Sequence, residues 1–174
     1  ECIDLIKLAN LAHSRNIPVI ADDTIGSALN INAFPYADIV FSSLTKSFAG
    51  RGDIMAGAVV INPLSKWKTD FLKLLTPTKT PLGNADAVEL ENASRDVDHR
   101  ISKLNKSCDA LASRLENHNE IARVLHPSKS ENFKRLMRPG GGHGCLLSFE
   151  LKNGLPKAKK FYDSLKVCKG PSLG

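Results

Sequence analysis

Ala37-Asp38-Ile39-Val40-Phe41-Ser42-Ser43-Leu44-Thr45-Lys46 is the stretch on which the fold turns. Ala37 to Phe41 is a short, nearly continuous apolar run, the pattern of a strand buried inside an α/β sheet. Ser43 and Thr45 precede Lys46 by three positions and by one, and the segment around the lysine is almost free of other charge. Upstream, Cys2 to Ser14 reads as a helix with Leu5, Leu8, Ala9 and Ala12 on one face. Ile17 to Ala21 follows as a second apolar run and closes on Asp22. Downstream, Met55 to Ile61 is a third run, ended by Asn62-Pro63, and Leu64 to Leu75 reads as a helix. A helix followed by such a run suggests a parallel strand buried on both faces, and the alternation of helices with apolar runs argues for an α/β sheet layer.

The second half has a different texture. Between Asn84 and Asn117, the residues Val97, Ile101, Leu104, Cys108, Leu111 and Leu115 recur at helical spacing. This predicts one long helix over about 84–117, too short in its seam for a coiled coil and placed to connect two packing units. Beyond it come a strand at Ile121–Leu125, a short helix at Glu131–Met137 and a glycine turn at Gly140–Gly144. A strand at Cys145–Leu151, a helix at Pro156–Leu165 and the start of a strand at Val167–Cys168 complete an α+β pattern.

Composition excludes several classes of function. The 174 residues are 42% hydrophobic and 24% charged, which allows a packed core. The net charge of +6 could suit nucleic acid, but the basic residues are scattered and aromatics are only 6%. No apolar run approaches the roughly 20 residues of a membrane span. The chain begins at Glu1 inside a helical pattern, so it reads as an excerpt of a longer protein. Cys2, Cys108, Cys145 and Cys168 form no C-x-x-C pair and read as reduced, mostly buried thiols.

An amine, two short hydroxyls and an acid at a strand end form a set suited to pyridoxal phosphate. The amine makes a Schiff base, the hydroxyls bind phosphate, and the acid keeps the pyridine nitrogen protonated. By itself Asp22 fits an Asx-turn or a helix cap as readily. Other matches carry less. Arg51-Gly52-Asp53 spells an adhesion tripeptide inside a glycine turn. Asn92-Ala93-Ser94 and Asn105-Lys106-Ser107 are glycosylation sequons on a predicted helix. The Gly140–Gly144 run lacks dinucleotide-binding spacing. His13, His99, His118, His126 and His143 have no ligand-like spacing, so no metal is expected.

Three segments stand in order: Ile17-Pro18-Val19-Ile20-Ala21-Asp22-Asp23-Thr24, then Ala37 to Lys46, then Gly52-Asp53-Ile54-Met55-Ala56-Gly57. Gly141-Gly142-His143-Gly144-Cys145-Leu146-Leu147-Ser148-Phe149-Glu150 and Ser172-Leu173-Gly174 follow. The set resembles the Cys/Met-metabolism PLP-dependent enzymes, the cystathionine gamma-synthase family, along nearly the whole chain. The resemblance implies the PLP-dependent transferase fold (aspartate aminotransferase-like, type I), truncated at both ends. Residues 1–100 would belong to a large cofactor-binding domain and 101–174 to a smaller α+β C-terminal domain.

It also implies that Lys46 is the Schiff-base lysine, that Asp22 pairs with the pyridine nitrogen and that Ser43 and Thr45 hold phosphate. Ser172 would lie beside the substrate carboxylate, and Thr24 near the ring without an assigned step. The implied reaction replaces the γ-substituent of an activated homoserine ester with cysteine. Lyase and sulfhydrylase chemistry of the same family, or a non-catalytic remnant, are the alternatives. The implied intact protein is a cytoplasmic homodimer or tetramer acting on amino acids, without nucleic-acid or membrane partners. Asp23 stands where many members have Asn, and Arg51-Gly52 where many have His-Ser. The family's upstream phosphate loop and stacking tyrosine would precede Glu1, and its carboxylate-binding arginine would follow Gly174.

Overall fold

A computed structural model describes residues 2–78 and 80–170. Helix α1 (Leu5–Ser14) starts where the Asp4 carboxylate accepts the Lys7 N–H at 3.0 Å. That cap satisfies a donor that a helix begun at Cys2 would have used internally, so the helix is shorter than its apolar spacing suggests. Leu5 and Ala9 are buried, whereas Leu8 and Leu11 are exposed.

Strands β1 (Ile20–Asp22) and β2 (Ile39–Ser43) pair in parallel, with Asp22 opposite Phe41. Strand β3 (Gly57–Ile61) pairs antiparallel with β2, with Ser43 opposite Gly57. The order is β1-β2-β3. Only the central strand is covered as the sequence leads one to expect: Ile39 and Val40, on opposite faces, are both buried. Ile20, Val59 and Val60 are exposed, because β1 and β3 are edge strands among the described residues and lack lateral neighbours. The core gathers Leu5 and Ala9 of α1 with Val19, Ala33, Ala37, Val40 and Leu136.

Asp38 is the polar member of that core. Its carboxylate accepts the Val19 N–H at 2.8 Å and the Ser65 hydroxyl at 2.6 Å, and meets His13 Nε2 at 2.9 Å. Burial pushes the carboxyl up, but the hydrogen bonds from Ser65, Val19 and His13 outweigh it and hold the group below the usual carboxylate range. The acid of the Ala37-Asp38 motif therefore ties α1 and the segment after β3 to the sheet.

Helices α2 (Lys68–Leu75), α3 (Asn84–Ser94) and α4 (Val97–Glu116) follow. The single helix expected over 84–117 is thus two, broken at Arg95–Asp96. Arg100 marks the break: its Nη2 donates to the Ala93 carbonyl at 2.7 Å and its Nε to Asp96 Oδ1 at 2.8 Å. The Ala93 carbonyl is the one that Val97 N–H would take in an unbroken helix. On α4 the buried residues are Ile101, Cys108 and Ala112, whereas Leu104 and Leu111 are exposed. The apolar seam is therefore only partly the packed face.

Strand β4 (Ile121–Leu125) leads through a 3-10 turn at Pro127–Lys129 to the short helix α5 (Glu131–Lys134). Strand β5 (Ser148–Leu151) pairs antiparallel with β4. Helix α6 (Gly154–Ser164) carries Pro156 in its first turn, where the missing N–H costs little. Val167 and Cys168 form no strand. All four thiols are free, and only Cys108 is buried; Cys145 and Cys168 are exposed, which corrects the expectation of mostly buried cysteines. Among the described residues no helix is long and apolar enough to cross a membrane.

Two asparagines join the halves. Asn30, 2% exposed, and Asn105 of α4 exchange amide hydrogen bonds at 3.1 and 2.8 Å. Asn30 Oδ1 also accepts the Gly142 N–H, and Asn105 Oδ1 the Gly144 N–H, both at 2.9 Å. A side chain at Gly141 would collide with the Asn30 backbone, and one at Gly142 with the Asn105 amide. The glycine turn is glycine-rich because it lies against this clasp.

Candidate active site

Lys46 sits in a tight turn directly after β2, half-buried. The Ala56 carbonyl accepts the N–H groups of Leu44 at 2.9 Å and Thr45 at 3.3 Å. Inside the turn, Ala49 N–H reaches Leu44 O at 2.9 Å and Gly50 N–H reaches Lys46 O at 2.8 Å. Gly50 has φ 70°, a conformation that glycine adopts without strain. From α4, Arg100 donates to Ser47 O at 2.8 Å and Phe48 O at 2.7 Å. A Cβ at Gly50 would strike that guanidinium. Arg100 is a positioning residue that sequence reading missed; a lone arginine on a helix leaves no signal of the carbonyls it will reach.

Asp22 ends β1, exposed, and its Oδ1 accepts the Thr24 N–H at 3.0 Å, an Asx-turn. Thr24 then does what no motif announced. Its hydroxyl accepts the Ser43 N–H at 2.9 Å, and Asp23 N–H donates to Phe41 O at 2.9 Å. The end of β1 is latched to the end of β2. Asp22, Ser43, Thr45 and Lys46 therefore share the carboxyl edge of two parallel strands, the edge at which open α/β sheets bind ligands. Ser172 lies outside the described residues.

Asp23, the neighbour of Asp22, is 5% exposed, and its Oδ1 has no hydrogen-bond partner among the described residues. Burial pushes its carboxyl up to about 6, against the pull of Arg138 and with a small push from Asp22. A cavity of about 600 Å³ opens on that side, lined by Asp22, Asp23, Leu125, His126 and His143 but not Lys46. It adjoins the strand-end site without being that site. Arg51 of the adhesion-like tripeptide is taken by Asp53 and Glu89, each at 2.8 Å.

The Cys/Met metabolism PLP-dependent enzyme model matches residues 1–174. The chain belongs to that family. It is 36% identical to a cystathionine gamma-synthase of Neurospora crassa across 99% of this chain and 28% of that protein. It is 37% identical to a cystathionine gamma-synthase of Saccharomyces cerevisiae across 98% of this chain and 28% of that protein. A solved cystathionine gamma-synthase from Xanthomonas oryzae pv. oryzae, in complex with aminoacrylate and cysteine, superposes with TM-score 0.81 at 24% identity. That superposition covers 99% of this chain and 45% of that structure, and it supports the fold. The chain thus spans under a third of the length of these two curated relatives.

The donor set at the strand ends suits the pyridoxal phosphate of the family. Thr45 Oγ1 accepts the Ala56 N–H at 3.1 Å, while its contact to the Ala56 carbonyl is a long 3.4 Å. A hydroxyl has one proton, so that proton can turn to a phosphate oxygen while the Ala56 N–H stays bound. An exposed acid, a half-buried amine and two hydroxyls within one latched edge match an aromatic cation bearing an aldehyde and a phosphate.

Proposed function

We propose that the protein is a transsulfuration enzyme of the cystathionine gamma-synthase type. It replaces the γ-substituent of an activated homoserine ester with the thiol of cysteine. The observation that carries this reading is the Lys46 turn, latched through Ser43 and Thr24 to the strand that ends in Asp22. Identity of 36–37% to two synthases supports it.

In this reading Lys46 Nζ would hold the cofactor by its aldehyde carbon and be free as an amine once substrate is bound. The freed amine then moves protons at the substrate's α- and β-carbons, working as a general base and acid. Asp22 would pair with the pyridine nitrogen and keep it protonated. Pyridoxal phosphate, when bound, supplies the electron sink that makes the α-proton removable. Ser43 and Thr45 hold the phosphate, and Ser172 orients the substrate carboxylate. Residues 1–100 serve as part of the cofactor domain and 101–174 as part of the smaller one. The intact protein works as a cytoplasmic homodimer or tetramer. Sulfide in place of cysteine would give the sulfhydrylase outcome, and loss of the substituent with no replacing nucleophile the lyase outcome; the products of the intact enzyme separate them.

Borohydride reduction of the intact protein, followed by peptide mapping, tests the centre of this reading. The expected result is a yellow protein whose reduced cofactor label sits on Lys46 and is absent from Lys46→Ala. A label on any other lysine, or none, overturns it. Cystathionine formed from an O-acylhomoserine and cysteine supports the reaction, and its absence with every acyl ester rejects it.

A further inference from the structure

Histidine spacing along the chain gives no hint of a metal, yet the fold brings Asp109, His126 and His143 together. One ligand atom from each lies within 4.8 Å of the others. Asp109 comes from α4, His126 from the end of β4 and His143 from the glycine turn. Asp109 Oδ1 stands 2.9 Å from His143 Nδ1 and 3.5 Å from His126 Nε2. The two imidazoles meet edge to face with centroids 5.4 Å apart.

His126 is the unusual member. Its side chain is 1% exposed, and its Nε2 has no hydrogen-bond partner among the described residues. A buried imidazole nitrogen left in that state costs stability unless something occupies its lone pair or its proton. The other nitrogen is engaged, with Nδ1 at 2.8 Å from the Ser128 hydroxyl. Nδ1 also accepts the Ser128 N–H over a long 3.4 Å. Metal binding takes the tautomer whose Nδ1 proton goes to the closer Ser128 hydroxyl, which leaves the Nε2 lone pair on the Asp109 side. Metal-binding histidines are held in this way by an outer partner.

We propose that Asp109, His126 and His143 form a binding site for a divalent ion of the zinc class. Zinc takes nitrogen and oxygen ligands at about 2.0–2.1 Å, which sets neighbouring ligand atoms about 3.3 Å apart in a tetrahedron. The separations of 2.9 and 3.5 Å bracket that spacing. Binding requires His143 to carry its proton on Nε2, releasing Nδ1 from Asp109. The donor set is nitrogen and oxygen. Cys108, next along α4, is not part of the cluster. Asp109 and His143 are 45% and 25% exposed, so solvent can deliver the ion and supply the remaining ligand. A metal here would cross-link α4, β4 and the glycine turn, three segments far apart in sequence. His126 and His143 share a cavity wall with Asp22 but not with Lys46, and the proposal does not rest on the lysine chemistry.

The test uses tag-free full-length protein, stripped with chelator and titrated with zinc by calorimetry and with cobalt by visible absorption. One ion per chain, tetrahedral cobalt bands and a thermal midpoint that rises with zinc are expected. Asp109→Asn and His143→Gln, both at partly exposed positions, should each weaken zinc by at least about tenfold while keeping the fold. Ser128→Ala should weaken it about tenfold by releasing the His126 ring. His99→Gln should bind as the parent does. No cobalt bands in the parent, or equal affinity in the parent, Asp109→Asn and His143→Gln, overturns the proposal. Neither result touches the Lys46 assignment, since no readout uses the cofactor.

Discussion

The Lys46 turn and the Gly140–Gly144 turn are both glycine-bearing loops held from α4, and they are held by opposite means. Arg100 grips the first through the carbonyls of Ser47 and Phe48 and keeps Asp96 as a counter-charge. Asn105 grips the second with a neutral amide that accepts a backbone N–H and exchanges bonds with Asn30. The ionic grip is partly open to water; at the neutral grip, Asn30 is fully buried. Water can replace a lost bond at the first and cannot at the second. The loop that carries the reactive amine is therefore the more forgiving of the two.

Replacing Asn105 with Ala is the severest way to break the contrast. It strands the Asn30 amide and the Gly144 N–H, and it should cost about 3 kcal/mol in urea unfolding. Arg100→Ala should cost less, about 2 kcal/mol, because the freed carbonyls can hydrate. It should also loosen cofactor retention. Arg100→Lys should not restore it, since a lysine cannot fork to Ser47, Phe48, Ala93 and Asp96 together. If Arg100→Ala proves costlier than Asn105→Ala, the comparison fails.

Asp23 sharpens the same point by charge. Its carboxyl is raised from 3.8 to about 6, so the folded state favours the protonated form. Below about pH 4 the group is neutral in both states and exerts no penalty. Between about pH 4 and 6 the unfolded chain ionises first, and stability falls until the folded state ionises too. Asp23→Asn should therefore raise stability by about 3 kcal/mol at pH 8 and leave it nearly unchanged at pH 3. An equal effect at both values would mean that the charge is not the cause. The smallest effect belongs to Arg51→Ala, whose partners Asp53 and Glu89 are as exposed as it is. It should leave the unfolding midpoint where it was.

What sequence reveals follows how far its contacts reach. That Asp22, Ser43, Thr45 and Lys46 lie at or just after strand ends was readable, since each closes or follows a short apolar run. The presence of three strands was readable from the apolar runs, but not their order in the sheet or the exposure of Ile20, Val59 and Val60, because edges are decided by neighbours rather than by the run itself. Helix 84–117 was read as one although its apolar spacing begins only at Val97; the break at Arg95–Asp96 goes with a guanidinium reaching back to Ala93. Asp109, His126 and His143 were invisible for the same reason. Their shared point lies between three segments, and no local period encodes it.

The latch between Thr24 and Ser43 has a meaning in time. With the Ser43 amide held by Thr24, the acid at the end of β1 and the lysine turn after β2 cannot open separately at low cost. The amide of Ser43 should exchange with solvent only when the whole strand edge lets go. Whatever rests on that edge would then experience one slow breathing motion in place of two independent fast ones.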